Sequence, residues 1–336
     1  MVAQKEYLLA ICIPTYNRAE QLRQFLKSLL PQIPAFKNYV GVFISDNAST
    51  DDTETMVREM ASQYSVDIKY HRKHTHTDRF ENYRTVMSLS QSKYVFMSGD
   101  DDIMAPNFLQ TIMPYLLSSK EYGLIHWNYI GSDETCYRYG NLRHSFYKEQ
   151  IEYTVSDFIR ETISGTDFLS SVIFNRRIID NTTSGYNDIG GGYSHFYNKL
   201  IGALQLNLPC IYYSFPLCIQ RNPTRTNDAK LPYYLFVNQG KIWRELDSLV
   251  PGVYQKFKSG MANFPDQYLL KVALNKPFYM EHKKEMLDNL ITPAQVELFE
   301  IALTAPNINQ ALLQKEKKKK ILYKISKILR KLGIKK

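Results

Sequence analysis

The chain has 336 residues, 44% hydrophobic and 22% charged, which suits a soluble globular protein of one large domain or one and a half. No apolar run reaches the length of a membrane span, the N-terminus shows no signal-peptide pattern, and Cys12, Cys136, Cys210 and Cys218 have no CxxC or zinc spacing, so a cytosolic protein with reduced thiols is expected. The net charge of +9 is local: residues 315–336 hold eleven Lys/Arg and one acid, which leaves residues 1–314 at −1 and argues against a nucleic-acid-binding face on the body.

Tyr7 to Ile13 is a continuous apolar run that ends at Pro14, the pattern of a fully buried parallel strand. Pro14-Thr15-Tyr16-Asn17-Arg18 reads as the turn at its C-terminal end, and Ala19 to Leu30 as a helix with Leu22, Phe25, Leu26, Leu29 and Leu30 on one face. Val40 to Ile44 is a second buried strand that runs into Ser45-Asp46-Asn47-Ala48-Ser49-Thr50-Asp51-Asp52. Thr53 to Tyr64 is helical, Val66 to His71 a short strand, Asn82 to Ser90 helical again, and Tyr94 to Met97 a fourth buried strand. Strands alternating with helices, with polar clusters at strand C-termini, predict an open doubly wound α/β sheet that binds ligands along the carboxyl ends of its strands. Neither a GxGxxG nor a GxxxxGKS/T fingerprint is present, so a bound nucleotide is expected to be held by side chains and a metal.

The fourth strand stops at Gly99-Asp100-Asp101-Asp102. Three adjacent carboxylates repel one another and resist burial, and a hard divalent cation such as Mg²⁺ or Mn²⁺ is an economical partner for them. The plain alternative is a solvated acidic turn that caps the helix after Pro106. Asp46 likewise has an alternative as a cap of the helix from Thr53, Asn82 as a helix cap, and Tyr16 as packing.

Ile13 to Arg18, Ile44 to Asp51 and Tyr94 to Asp102 together resemble the N-terminal signature of family-2 glycosyltransferases, closest to the bacterial O-antigen, abequosyltransferase-like branch. The resemblance is strong over the first third of the chain and fades after about residue 225. It implies a GT-A fold, an open mixed sheet flanked by helices, that uses a nucleotide-diphospho-sugar and a divalent metal. By the same resemblance Pro14, Tyr16 and Arg18 line the nucleotide pocket, Asp46 hydrogen-bonds the pyrimidine of a UDP or CDP carrier, and Asp78 and Asn82 sit beside the donor. Asp100, Asp101 and Asp102 supply the metal and ribose contacts. One departure stands out: the usual first Asp of the family's Asp-x-Asp falls on Gly99, which leaves Asp101 with Asp100 or Asp102 as the metal ligands.

Further along, Gly123 to Ile130 reads as a half-exposed strand, 131–150 as a loop over the site, Val155 to Ile163 as an amphipathic helix, and 164–177 as a turn and a strand near the acceptor. In Ser184 to His195 three consecutive glycines free the backbone before helical periodicity resumes through Phe196, Leu200 and Leu204. Many relatives open this helix with a Glu-Asp pair that supplies the catalytic base. This chain has none, and Asp188 and His195 are the ionisable candidates; a helix N-terminus keeps a histidine neutral, which suits a base. Pro209 to Ile219 is a strand, and Arg221 and Arg225 in the loop after it suit a diphosphate or simply solvent.

Domain limits are expected at 1–228 for the catalytic domain, 229–314 for a helical region suited to packing, homo-oligomerisation or acceptor access, and 315–336 for a tail. The tail carries Ile321, Leu322, Ile325, Ile328, Leu329 and Leu332 at helical spacing against a face of Lys and Arg, the pattern of a helix lying on an anionic membrane. The resulting expectation is an inverting, metal-dependent glycosyltransferase, cytoplasmic and peripheral to the membrane, acting on a lipid-linked envelope glycan. A sugar-1-phosphate nucleotidyltransferase and a non-catalytic nucleotide-sugar-binding protein are the rivals.

Overall fold

The computed structural model describes residues 6–133, 136, 139–142, 150–162, 168–180, 194–221, 229–262, 265–307 and 309–311. They fall in two compact units, Met1–Asn187 with Asn198–Thr224, and Asp188–Tyr197 with Arg225–Lys336.

The first unit is built on a ten-stranded mixed sheet. Its strands are β1 (Leu9–Thr15), β2 (Val40–Asp46), β3 (Ile68–Arg72), β4 (Tyr94–Met97), β5 (Ile103–Met104), β6 (Leu124–Ser132), β7 (Tyr139–Leu142), β8 (Gln150–Tyr153), β9 (Val172–Asn175) and β10 (Cys210–Arg221). The order is β3-β2-β1-β4-β9-β6-β10-β5, with β7 on β6 and β8 on β10. The first four strands are parallel, β9 runs against both β4 and β6, and β6 and β10 are parallel to each other. The sheet is therefore doubly wound only in its first half.

The α-helices among the described residues up to Arg221 are α1 (Ala19–Leu29), α2 (Thr53–Tyr64), α3 (Arg79–Ser88), α4 (Phe108–Leu116), α5 (Val155–Glu161), α6 (Arg177–Asp180) and α7 (Ser194–Leu206), the last of which begins in the second unit. β1 shows why the helices lie on both faces. Leu9, Ile11 and Ile13 join the core that holds Leu22, Phe25, Leu26 and Leu29 of α1. On the other face Ala10 and Cys12 are small, which lets α3 approach until the Cys12 thiol donates to Val86 O. Burial pushes that thiol up to about 12, so it is inert packing rather than a nucleophile. Phe96 of β4, Trp127 of β6 and Phe108 of α4 meet with ring centroids 5.1–5.3 Å apart, and each such buried ring contributes about 1.5–3 kcal/mol. This trio pins α4, and with it the acidic loop between β4 and β5.

Several boundaries depart from the sequence reading. Pro14 and Thr15 close β1 instead of opening the turn, because both are paired to Ser45 and Asp46 of β2. β6 is buried rather than half exposed: Trp127 meets Phe96 and Phe108, and His126 faces Phe158 and Tyr212 on the other side. The segment 131–150 contributes β7 and the first residue of β8 to the sheet, so it is not purely a loop. α3 starts at Arg79, three residues earlier than expected, since Asp78 caps it.

The second unit is helical where it is described. It holds Leu231–Tyr233, a π-helical turn Tyr234–Asn238, Gln239–Leu246, Val253–Ala262, Asp266–Leu270, Lys276–Glu281, Lys283–Asn289 and Pro293–Thr304. The helix Val253–Ala262 buries Val253, Phe257 and Met261. Phe236, Trp243, Leu246, Tyr279 and Phe299 are buried in its core. No helix among the described residues is long and apolar enough to cross a membrane. Residues 315–336 lie outside the described residues.

Candidate active site

The carboxyl ends of β1, β2 and β4 lie side by side, and the loops that leave them carry the polar clusters. The acidic loop follows β4. Ser98 N still donates to Cys12 O of β1 at 3.0 Å, and the next residue, Gly99, donates its N–H to Ser170 Oγ at 2.8 Å. A Cβ on Gly99 would lie 2.9 Å from Asp102 Oδ2 and 3.2 Å from Asp101 Oδ1, so any side chain there would have to push these carboxylates aside.

Each aspartate of the triplet has a different set of partners. Asp100 accepts from Thr15 Oγ1 at 2.7 Å through Oδ2, and from Arg18 Nη1 at 2.8 Å through Oδ1. Asp101 accepts from the same Arg18 nitrogen at 2.9 Å through Oδ2. Among the described residues its Oδ1 accepts no hydrogen bond. Asp102 turns inward: Ser170 Oγ donates to its Oδ2, and the backbone N–H of Arg221 to its Oδ1 at 3.0 Å. Asp100 and Asp102 are 5% and 2% exposed, which rules out a solvated acidic turn, and the helix after Pro106 has Asn107 at its N-cap. Burial raises the pKa of Asp100, opposed by Arg18 and reinforced by Asp101. Burial, with the Asp101 charge next, pushes Asp102 up to about 7. The ionised triplet is thus held at a cost that added positive charge would relieve.

Arg221 ends β10 and ties this loop to its surroundings. Its Nε donates to Asp101 O at 2.7 Å and its Nη2 to Gln24 Oε1 of α1 at 2.6 Å. The guanidinium therefore supports the acidic loop from the protein side. Arg225 lies outside the described residues.

The second cluster gathers around Asp46, which is completely buried. Its Oδ1 accepts from Ser49 N at 2.8 Å, its Oδ2 accepts from the Tyr70 hydroxyl, and Arg72 Nε stands 3.9 Å away. It caps no helix; Asp52 is the N-cap of α2. Asn82 lies inside α3 and bridges strands: Nδ2 donates to Ser45 O at 3.1 Å, and Ser45 Oγ donates to its Oδ1 at 2.7 Å. The helix cap is Asp78, whose Oδ1 accepts from Phe80 N and Glu81 N; those bonds, Glu81's first, lower its pKa. Tyr16 is 41% exposed, so it is not core packing, and its ring meets His76 at 4.2 Å. Pro14 sits at the end of β1 between these two clusters. Ala48 in the loop after Asp46 has φ of 65°, a strained left-handed conformation for a residue with a side chain.

The structure thus brings Arg18, Asp100, Asp101, Asp102 and Arg221 into one network, with Asp46 at the end of β2 and Asn82 inside α3. His195 is the second residue of α7, and Asp188 lies outside the described residues. Thr15, Gln24, Tyr70 and Ser170 complete the network without having been singled out from sequence. Thr15 had a signal, since it neighbours Pro14 and Tyr16 in the motif; a lone serine such as Ser170 had none.

Among the described residues no group of three His, Cys, Asp or Glu side chains is arranged to hold a metal. The carboxylates of Asp100 and Asp101 nevertheless converge on one cationic nitrogen, and their oxygens are hard donors. That fits the mode in which Mg²⁺ or Mn²⁺ is held by one or two carboxylates and completed by substrate phosphates and water. Gly99→Ala is expected to disturb this loop, since overpacking a fixed site costs about 1–3 kcal/mol. A lowered Tm together with reduced turnover is the expected pair of readings, and wild-type values of both would remove the role assigned to Gly99.

Residues 10–182 match the family model described as Glycosyl transferase family 2. The chain is 31% identical over 284 residues to the abequosyltransferase RfbV of Salmonella typhimurium, covering 81% of this chain and 78% of that protein. Among solved structures it resembles S. aureus TarS 1-349 in complex with UDP, with a TM-score of 0.57 and 13% identity over 87% of this chain and 91% of that one. The mannosyltransferase PcManGT from Pyrobaculum calidifontis, in complex with GDP-Man and Mn²⁺, gives a TM-score of 0.54 and 13% identity over 92% and 87%. These two likenesses establish the shared GT-A fold.

Proposed function

The chain belongs to glycosyl transferase family 2, and from that premise we propose that it moves a sugar from a UDP- or CDP-linked donor to a hydroxyl of a lipid-linked envelope glycan, with inversion at the anomeric carbon. The observation that carries this reading is the convergence of Asp100 and Asp101 on one cation at the carboxyl edge of the sheet, beside the loops that follow β1 and β2. Pro14, Tyr16 and the Asp46 loop form the base side of the donor pocket, and Asn82 holds the ends of β1 and β2 in register beneath it. The acceptor hydroxyl gives its proton to Asp188 or His195 and attacks the anomeric carbon. The bond from that carbon to the diphosphate oxygen breaks, and the electron pair leaves with the nucleoside diphosphate. A divalent metal, Mn²⁺ or Mg²⁺, would be held by Asp101 with Asp100, and would supply charge that stabilises the leaving diphosphate. Asp102 and Arg221 keep the loop in place. Incubation with candidate donors, with and without an acceptor glycan, tests the reading: nucleoside diphosphate release that depends on acceptor supports it, and none with any donor overturns it.

In this reading residues 1–228 bind the donor and carry the chemistry, 229–314 serve acceptor access, and 315–336 place the enzyme on the inner face of the cytoplasmic membrane. Each Lys or Arg near an anionic surface contributes about 1 kcal/mol, and buried Ile and Leu add an apolar part. Truncation after Leu313 is therefore expected to abolish co-sedimentation with anionic vesicles and most turnover of a lipid-linked acceptor. Turnover of a soluble acceptor analogue is expected to survive. Ile325→Glu is expected to reproduce the loss at low salt. Equal vesicle binding by full-length and truncated protein would remove the membrane role from the tail.

A further inference from the structure

Arg18 makes both of its ion pairs through one atom. Nη1 lies 2.8 Å from Asp100 Oδ1 and 2.9 Å from Asp101 Oδ2, while among the described residues Nε and Nη2 donate no hydrogen bond. This is not the two-pronged clamp that gives arginine its strongest carboxylate bonds. It is a single positive nitrogen standing between two carboxylates. The side chain is 36% exposed, against 7% for Asp100 and 16% for Asp101, so the cation sits on the open side of the acids.

No helix-capping bond ties down the Arg18 side chain. Arg18 is the N-cap residue of α1 but its side chain caps nothing; Asp51 reaches over instead to accept from Ala19 N at 3.0 Å. The loop backbone and the carboxylates of Asp100 and Asp102 have other partners, while the Asp101 carboxylate meets Arg18 alone among the described residues. Thr15 holds Asp100, the Arg221 side chain holds Asp101 through its carbonyl, and Ser170 and the Arg221 amide hold Asp102. Withdrawal of Arg18 would therefore leave a formed loop with two uncompensated carboxylates.

We propose that Arg18 is the resident counter-ion of the donor-free site, occupying the place between Asp100 and Asp101 that a divalent cation takes when the donor arrives, and that the displaced guanidinium then pairs with the donor diphosphate. This rests on the metal-dependent donor binding proposed above. Two positive charges enter with the metal as two negative charges enter with the diphosphate, and Arg18 remains, so the net charge of the site is the same in both states. The consequence is coupling. Metal alone must compete with Arg18 and binds weakly, whereas metal with a nucleoside diphosphate offers Arg18 a new partner and binds well. An enzyme built this way avoids holding a bare cation between turnovers.

The experiment titrates the full-length protein with Mn²⁺, following loss of the free-ion electron paramagnetic resonance signal. It is run first without nucleotide and then with UDP, CDP, GDP and dTDP in turn. Arg18→Gln is expected to bind Mn²⁺ at least about fivefold more tightly than wild type without nucleotide, the scale of removing one competing ion pair. It should also show a larger Mn²⁺-induced rise in Tm. Arg18→Lys keeps the charge and is expected to stay within about twofold of wild type. With the cognate nucleotide the order reverses: Arg18→Gln loses nucleotide affinity because the diphosphate lacks its partner. Arg18→Met serves as a second neutral variant should the glutamine protein fold poorly. If the neutral variants bind Mn²⁺ no more tightly than wild type while nucleotide-dependent Mn²⁺ binding persists, Arg18 is not the competitor and the proposal falls. If Gln and Lys tighten binding equally, charge is not the cause and it falls as well. If no protein binds Mn²⁺ with any nucleotide, the metal reading fails first and takes the proposal with it.

Discussion

Asp101→Ala is expected to abolish sugar transfer while leaving the fold intact. Among the three acids Asp101 alone has a carboxylate oxygen without a protein partner among the described residues, and its other oxygen meets only Arg18. Its structural task, accepting from Arg221 Nε, is done by its backbone carbonyl, which alanine retains. The lost ion pair involves an arginine more than a third exposed and contributes little, about 1 kcal/mol or less. Removing one preorganised stabiliser of developing charge, by contrast, lowers turnover by about 10²–10³-fold, and loss of a metal ligand belongs at or above that scale. The paired control is Asp102→Ala. It removes the acceptor of the Ser170 hydroxyl and of the part-buried Arg221 amide from the centre of the acidic loop, at about 1–3 kcal/mol, so its Tm should fall where that of Asp101→Ala does not. Circular dichroism, Mn²⁺-dependent nucleotide binding and turnover separate the two. Full activity in Asp101→Ala, or in wild type with excess chelator, would remove the metal from the reaction.

What could be read from sequence follows from how local each signal is. The first four strands and α1 and α2 announce themselves because β1, β2 and β4 are buried on both faces and the helices on one, so runs and periodicities are clean. The family emerged from three short motifs in order, which places the catalytic loops at strand ends before any contact is known. With membership of the family established, a nucleotidyltransferase reading is set aside. Gly99 is the instructive departure. At the position of the family's first Asp a side chain has no room here, because Asp102 Oδ2, Asp101 Oδ1 and Ser170 Oγ already crowd the place a Cβ would take.

Long-range partnership is what the sequence hides. Ser170 meets Asp102 across 68 positions, and Arg221 reaches Gln24 across 197, with nothing in either neighbourhood to say so. The antiparallel insertion of β9 between β4 and β6 is hidden for the same reason, since a strand's pattern reports its burial and not its direction. Arg221 looked like a phosphate contact because arginine after a strand often is one. Among the described residues its Nε and Nη2 meet Asp101 and Gln24, partners 120 and 197 positions away that its own neighbourhood does not announce.

By the family resemblance a Glu-Asp pair would open α7 and supply the base, and the expected effect of removing the base is large. With no Glu-Asp pair at the start of α7, the proton must go to another group, and Asp188 and His195 flank the three glycines that lead into that helix. His195→Gln or Asp188→Asn, whichever residue is the base, is expected to lower kcat by about 10²–10⁴-fold, the usual contribution of general base catalysis. Donor affinity should hardly change, because the group acts on the acceptor and only in the chemical step. The pH profile distinguishes the two. A base must be unprotonated, so kcat falls as pH falls through its pKa, and an imidazole places that acid limb at higher pH than a carboxylate does. The limb should vanish in the variant that removes the base and persist in the other. A loss of no more than about tenfold in both variants, well under what a general base supplies, would place the base outside this segment.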